Sequence, residues 1–122
     1  MKKILFIEDD VTLIQNLGEF IKAGGFDFFS ATDGERGIEL VKKEKPDLIL
    51  LDLILPKKSG FDVLKEIKED EKSANIPVVV LTNLEDSNDV EKALSLGAGA
   101  YLVKAGYSPQ EIVKKIKEIL GK

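Results

Sequence analysis

Two residue types that carry much of protein chemistry are missing from this chain, which has no cysteine and no histidine. Without cysteine there are neither disulfides nor thiol reactions. Without histidine the commonest general base and metal ligand is gone, so any phosphohistidine chemistry must borrow its histidine from another protein. Long apolar runs are lacking too. Ile4-Leu5-Phe6-Ile7 imitates the start of a signal peptide, but Glu8, Asp9 and Asp10 end it far short of the required apolar core. No segment approaches the length needed to cross a membrane, and a cytoplasmic protein is expected. Nor is there an excess of basic residues: the formal net charge of −4 argues against nucleic acid as a direct partner.

What is present suits one globular unit. At 122 residues, 43% of them hydrophobic and 33% charged, the chain can bury a real core. Its organising stretch is Pro46-Asp47-Leu48-Ile49-Leu50-Leu51-Asp52-Leu53-Ile54-Leu55-Pro56. Apolar residues without polar alternation are what a strand buried on both faces requires. Asp52 ends that run, and Pro56 forbids sheet pairing just beyond it. An acid at the carboxyl end of a central parallel strand sits where open α/β sheets keep their ligand crevice. Taken alone, Asp52 serves equally well as a strand cap or turn former.

The other segments alternate regularly. Ile4–Ile7 reads as a first strand, followed by a helix with Val11, Leu13, Ile14, Leu17, Phe20 and Ile21 at helical spacing and Gly24-Gly25 as its stop. Phe26–Ala31 reads as a second strand nearer an edge, because Asp27 and Ser30 interrupt it. Asp33-Gly34-Glu35 opens a helix that Pro46 closes, and Ser59-Gly60-Phe61-Asp62, which resembles a capping box, opens the next. Pro77–Leu81 is another buried strand, and Thr82-Asn83 terminates it. A helix over 86–96 carries Val90, Ala93, Leu94 and Leu96, and Tyr101–Val103 is a short strand ended by Lys104. Ser108-Pro109-Gln110-Glu111 combines an N-cap serine, a first-position proline and a glutamate three residues after the cap, the strongest helix start in the chain. The pattern predicts a doubly wound α/β fold with a five-stranded parallel sheet covered on both faces. The order 2-1-3-4-5 suits a chain whose second strand is peripheral.

In that fold the strand ends meet at one edge. The first strand delivers Glu8 and Asp9, the third Asp52, the fourth Thr82 and the fifth Lys104. Three carboxylates in one crevice repel one another unless a cation joins them. Oxygen ligands alone select a hard ion, and Mg²⁺ suits a partly hydrated site of few carboxylates. Asp10 is read differently, as the cap of the following helix.

These pieces together resemble the receiver domain of two-component response regulators, over the full length of the chain. The resemblance rests on Ile4-Leu5-Phe6-Ile7-Glu8-Asp9-Asp10, on Asp47–Asp52 through Pro56 and Gly60, on Leu81-Thr82 and on Tyr101-Leu102-Val103-Lys104, in that order and at those separations. It implies a flavodoxin-like (βα)5 fold and a single receiver domain over 1–122 without an effector domain. It also implies that Asp52 is the phosphoacceptor, fed by a sensor histidine kinase or a histidine phosphotransfer protein. Asp9 and Asp52 then hold Mg²⁺ with the backbone carbonyl of Ile54, and Glu8 acts through water. Thr82 and Lys104 attend the phosphoryl group, and Thr82 with Tyr101 forms the switch toward a downstream effector protein or domain. A carboxylate nucleophile needs no base, which fits a site without histidine.

Several positions depart from the family pattern. Ala105 follows Lys104 where the family usually has a cis-proline that aims the lysine; we expect the aim of Lys104 to survive. Asn83 is bulkier than the small residue usual there and narrows access to the phosphate. Ile54 and Leu84 occupy positions that modulate hydrolysis, and neither apolar side chain can orient water, so a long-lived phosphoaspartate is expected. Gly99-Ala100 replaces an acidic pair used in one subfamily's dimer face, and a monomer or weak dimer is expected.

Other functions fit less well. A haloacid-dehalogenase-like phosphatase needs a second acid two residues after its nucleophile, where Ile54 stands. An FMN module needs a hydroxyl-rich phosphate loop where this chain has Glu8-Asp9-Asp10. The alternative within the family is a phosphorylation-inactive receiver used as a protein-interaction module. The expected role is that of a signalling switch rather than an enzyme.

Overall fold

The computed structural model describes residues 1–121. Its elements are β1 (Lys3–Ile7), α1 (Val11–Ala23), β2 (Asp27–Ala31), α2 (Gly34–Glu44), β3 (Leu48–Leu51), α3 (Gly60–Glu69), β4 (Val78–Thr82), α4 (Ser87–Ser95), β5 (Ala100–Val103) and α5 (Pro109–Leu120). The strands form one parallel sheet in the order β2-β1-β3-β4-β5. This is the doubly wound arrangement read from the sequence.

The lack of polar alternation in β1, β3 and β4 has its explanation in two cores. Leu5, Ile7, Ile49, Leu51, Val78 and Val80 point to one face and pack with buried residues of α2, α3 and α4. Ile4, Phe6, Leu48, Leu50, Val79 and Leu81 point to the other and pack with α1 and α5. Successive side chains of a strand face opposite ways, so burial on both sides demands apolar residues throughout. β2 is an edge strand, and Ser30 on it is exposed.

Local signals set most helix ends. Asp10 caps α1 by accepting from the Leu13 amide at 3.2 Å, as expected of it. Ser108 and Glu111 make both bonds of a capping box at the start of α5, with Pro109 in the first turn. Ser59 makes only the forward bond, to the Asp62 amide at 3.2 Å. α2 ends at Lys45, which takes a left-handed conformation (φ 48°) directly before Pro46. That residue is barred from continuing the helix by the proline ring that follows.

α4 departs from the sequence reading. Of its apolar residues only Ala93 is buried, and Leu94 is 47% exposed. Val11, counted among the apolar positions of α1, is 54% exposed at the sheet edge that carries the acids.

Candidate functional site

The parallel register brings the expected residues to one edge. Ile7 pairs with Ala31 and with Leu51, and Thr82 pairs with Val103. One step further, the Glu8 amide donates to the Ala31 carbonyl at 2.9 Å and the Asp52 amide donates to Ile7 at 3.0 Å. Glu8 and Asp52 are thus fixed by backbone bonds just past the ends of β1 and β3. Lys104 follows β5 directly and opens a short 3-10 turn, Lys104–Gly106, not foreseen from the sequence.

The loop after β3 is pressed against the acids by a glycine. The Gly60 amide donates to the Leu53 carbonyl at 2.9 Å. A Cβ at Gly60 would collide with the Asp52 carbonyl oxygen and the Leu53 Cα, so no larger residue permits this approach. Within the loop the Ile54 amide donates to Asp52 Oδ1 at 3.3 Å, while the Ile54 side chain is 57% exposed.

Lys104 is aimed as expected, and the structure has no cis peptide among the described residues. Its ammonium donates to Asp52 Oδ2 at 2.9 Å and pairs with Glu8 Oε1 at 2.5 Å. Glu8 and Asp52 are buried, at 1% and 4% exposure, so these are low-dielectric contacts. The second Glu8 oxygen accepts from the Asp10 amide at 3.0 Å. Burial pushes the Glu8 carboxyl up to about 7, aided by the charge of Asp52 and opposed by the bonds from Lys104 and Asp10. Burial works against the Lys104 ammonium, yet its bonds to Glu8 and Asp52 win and raise its pKa above the ordinary value.

Glu8, Asp9 and Asp52 each place a carboxylate oxygen within 4.8 Å of the others. Asp9 is exposed at the mouth of the cluster, with Glu8 and Asp52 behind it. An all-oxygen set of this spacing fits a hard divalent cation.

Thr82 is fully buried, and its hydroxyl accepts from the Leu84 amide at 3.5 Å. The Tyr101 hydroxyl donates to the Leu84 carbonyl at 2.9 Å. Both residues expected to switch therefore hold the same residue of the β4–α4 loop. Burial raises the Tyr101 pKa, with smaller contributions from the charges of Asp89, Asp52 and Asp86. Asn83 beside them is exposed, and Leu84 packs partly into the core.

A doubly wound sheet whose carboxyl edge gathers three acids, a hydroxyl and a lysine defines a receiver-type α/β protein. The family model described as "Response regulator receiver domain" matches residues 4–117, and the chain belongs to that family. Among curated relatives, the alkaline phosphatase synthesis transcriptional regulatory protein PhoP of Bacillus subtilis is 35% identical over 119 residues, 98% of this chain and 48% of that protein. The probable transcriptional regulator ycf27 of Porphyridium aerugineum is 37% identical, again over 98% of this chain and 48% of its own length. The chain thus spans about half the length of these relatives. Among solved structures, the phosphorylated cyanobacterial phytochrome response regulator RcpA has a TM-score of 0.87 at 34% identity, with 97% of this chain and 92% of that chain covered. The BeF3-activated receiver domain of Klebsiella pneumoniae RstA has a TM-score of 0.90 at 28% identity, covering 99% and 100%.

Proposed function

We propose that this receiver domain accepts a phosphoryl group on Asp52 from the phosphohistidine of a sensor histidine kinase or a histidine phosphotransfer protein. The observation that carries the reading is the Lys104 ammonium 2.9 Å from the Asp52 carboxylate, within a cluster that also holds Glu8 and Asp9. An Asp52 oxygen attacks phosphorus, the O–P bond forms as the P–N bond of the donor breaks, and the freed imidazole keeps the electron pair. Phosphoryl transfer asks chiefly for alignment and charge stabilisation, and Lys104 supplies a fixed positive charge. Asp9, Asp52 and the Ile54 carbonyl are the proposed ligands of Mg²⁺, with Glu8 reached through water. When bound, the ion supplies further positive charge beside the phosphoryl oxygens.

Signalling follows as a population shift. The Thr82 hydroxyl leaves the Leu84 amide to donate to a phosphoryl oxygen, and Tyr101 follows through its bond to the same loop residue. The output face is α4, β5 and α5, where α4 is attached by few buried side chains. Exposed apolar residues flank the site in sequence: Val11, Ile54 and Tyr107. They are candidates for contact with the donor protein. PhoP and ycf27 are transcriptional regulators by name, ycf27 a probable one; for this domain, with its net charge of −4, output through a partner protein or domain is proposed rather than direct contact with DNA. A cytoplasmic place of action is part of the same proposal; no helix of the described residues is long and apolar enough to cross a membrane.

The test is incubation with Mg²⁺ and acetyl phosphate followed by intact mass. A gain of one phosphoryl group, absent from Asp52→Asn, supports the reading. No gain from acetyl phosphate or from a phosphorylated donor protein favours an inactive interaction module.

A further inference from the structure

The loop between β3 and α3 is held at its tip by a helix that contributes no residue to the acidic cluster. At that tip Lys57 has φ 69°, and the Lys58 amide folds back to the Pro56 carbonyl at 2.7 Å. A three-residue turn of this hand is rare and strained for any residue other than glycine, and it persists only where its surroundings impose it. The surroundings are the first residues of α2. The Gly34 amide donates to the same Pro56 carbonyl at 3.3 Å. Asp33, which caps α2 through the Arg36 amide at 2.8 Å, also pairs with the Lys57 ammonium at 3.8 Å.

Gly34 is not required by its backbone, which lies in the helix without positive φ. Alanine is the better helix former there on intrinsic grounds. The reason for glycine is space: a Cβ would strike the Lys58 carbonyl oxygen and lie 2.8 Å from the Lys58 Cβ and 2.9 Å from Val63 Cγ2. The loop is therefore pinned twice, at its base by Gly60 on Leu53 and at its tip by Gly34 on Pro56–Lys58. Ile54 lies between the two pins, two residues from the phosphoacceptor and two from Pro56.

We propose that Gly34 is a positioning residue for divalent-cation binding: by seating the Pro56–Lys58 turn it steadies the loop whose Ile54 amide donates to Asp52 and whose Ile54 carbonyl is the third proposed ligand. This rests on the metal reading given above, and the experiment separates the two. Mn²⁺ binding is measured by electron paramagnetic resonance of the free ion for the wild type, Gly34→Ala and Gly18→Ala. Gly18 packs its helix against the Phe28 ring, outside the loop and the acidic cluster, and controls for general loss of packing. Gly34→Ala is expected to weaken Mn²⁺ binding about tenfold, the lower end of what displaced outer-shell support costs a metal site, while Gly18→Ala leaves affinity unchanged. A folded Gly34→Ala with wild-type affinity overturns the proposal, as does an equal loss in Gly18→Ala. Should Gly34→Ala not fold, Asp33→Ala decides: weaker Mn²⁺ binding supports the proposal and unchanged binding overturns it. A wild type that takes up no Mn²⁺ overturns the metal reading itself, and this inference with it.

Discussion

The Lys104 ammonium donates to Asp52 across a sequence separation of 52 residues, and the same ammonium pairs with buried Glu8. One cation thus serves two carboxylates that would otherwise repel each other in a dry site. Lys104→Ala is expected to lower the stability of the metal-free protein by about 3–5 kcal/mol at pH 7, the cost of leaving a buried charged partner uncompensated. It is also expected to slow phosphorylation by acetyl phosphate without abolishing Mn²⁺ binding. Chemical denaturation in EDTA and intact-mass time courses read the two effects separately; an unchanged stability in EDTA would contradict the pairing.

Glu8 makes the metal-free fold pH-dependent in a defined direction. Its carboxyl titrates at about 7 in the folded chain against an ordinary 4.5, so the folded state binds the proton more tightly. The stabilisation is complete below pH 4.5 and is lost as pH rises through about 7. The complete loss is about 3 kcal/mol, and Glu8→Gln should flatten that part of the profile. Denaturation midpoints from pH 5 to pH 8 in EDTA check this, and identical profiles for the two proteins would contradict it.

Tyr101 and Thr82 meet at Leu84, and this separates switching from chemistry. Tyr101→Phe is expected to cost about 0.5–1.5 kcal/mol and to leave Asp52 phosphorylation intact. Hydrogen exchange over residues 83–86 should rise in the variant, because the tyrosine anchor of the β4–α4 loop is gone. Loss of phosphorylation in this variant would place Tyr101 in the chemistry instead.

The apolar residues at 54 and 84 bear on how long the phosphate lasts. Ile54 is exposed beside Asp52 and Leu84 packs into the core, so neither can orient an attacking water. Slow loss of the phosphoryl group is expected, with Ile54→Asn accelerating it by about tenfold, below the usual range for general-base assistance. Rapid loss from the wild type would contradict the expectation.

Much of the site was legible because two periodicities decide it. Apolar runs at 4–7, 48–51 and 78–81 call for strands buried on both faces, and parallel strands bring their carboxyl ends together. Glu8, Asp52, Thr82 and Lys104 then converge from topology alone. The tip of the β3–α3 loop was not legible, since its left-handed residue is Lys57 rather than glycine or asparagine and the contact imposing it comes from α2. The exposure of Leu94 was hidden as well, because helical spacing marks a face without saying how much sheet lies beneath it. The Lys92 ammonium 4.4 Å from the Phe61 ring, which ties α4 to α3, likewise has no local sequence signal.

The central claim is that the phosphoryl group resides on Asp52, and its position can be read directly. Borohydride reduces an acyl phosphate to an alcohol, turning the modified aspartate into homoserine, a stable mark for peptide mass spectrometry. After treatment with Mg²⁺ and acetyl phosphate, homoserine is expected at position 52 alone. Homoserine at position 9 or 10, or none in a protein that has gained phosphate, would contradict the account.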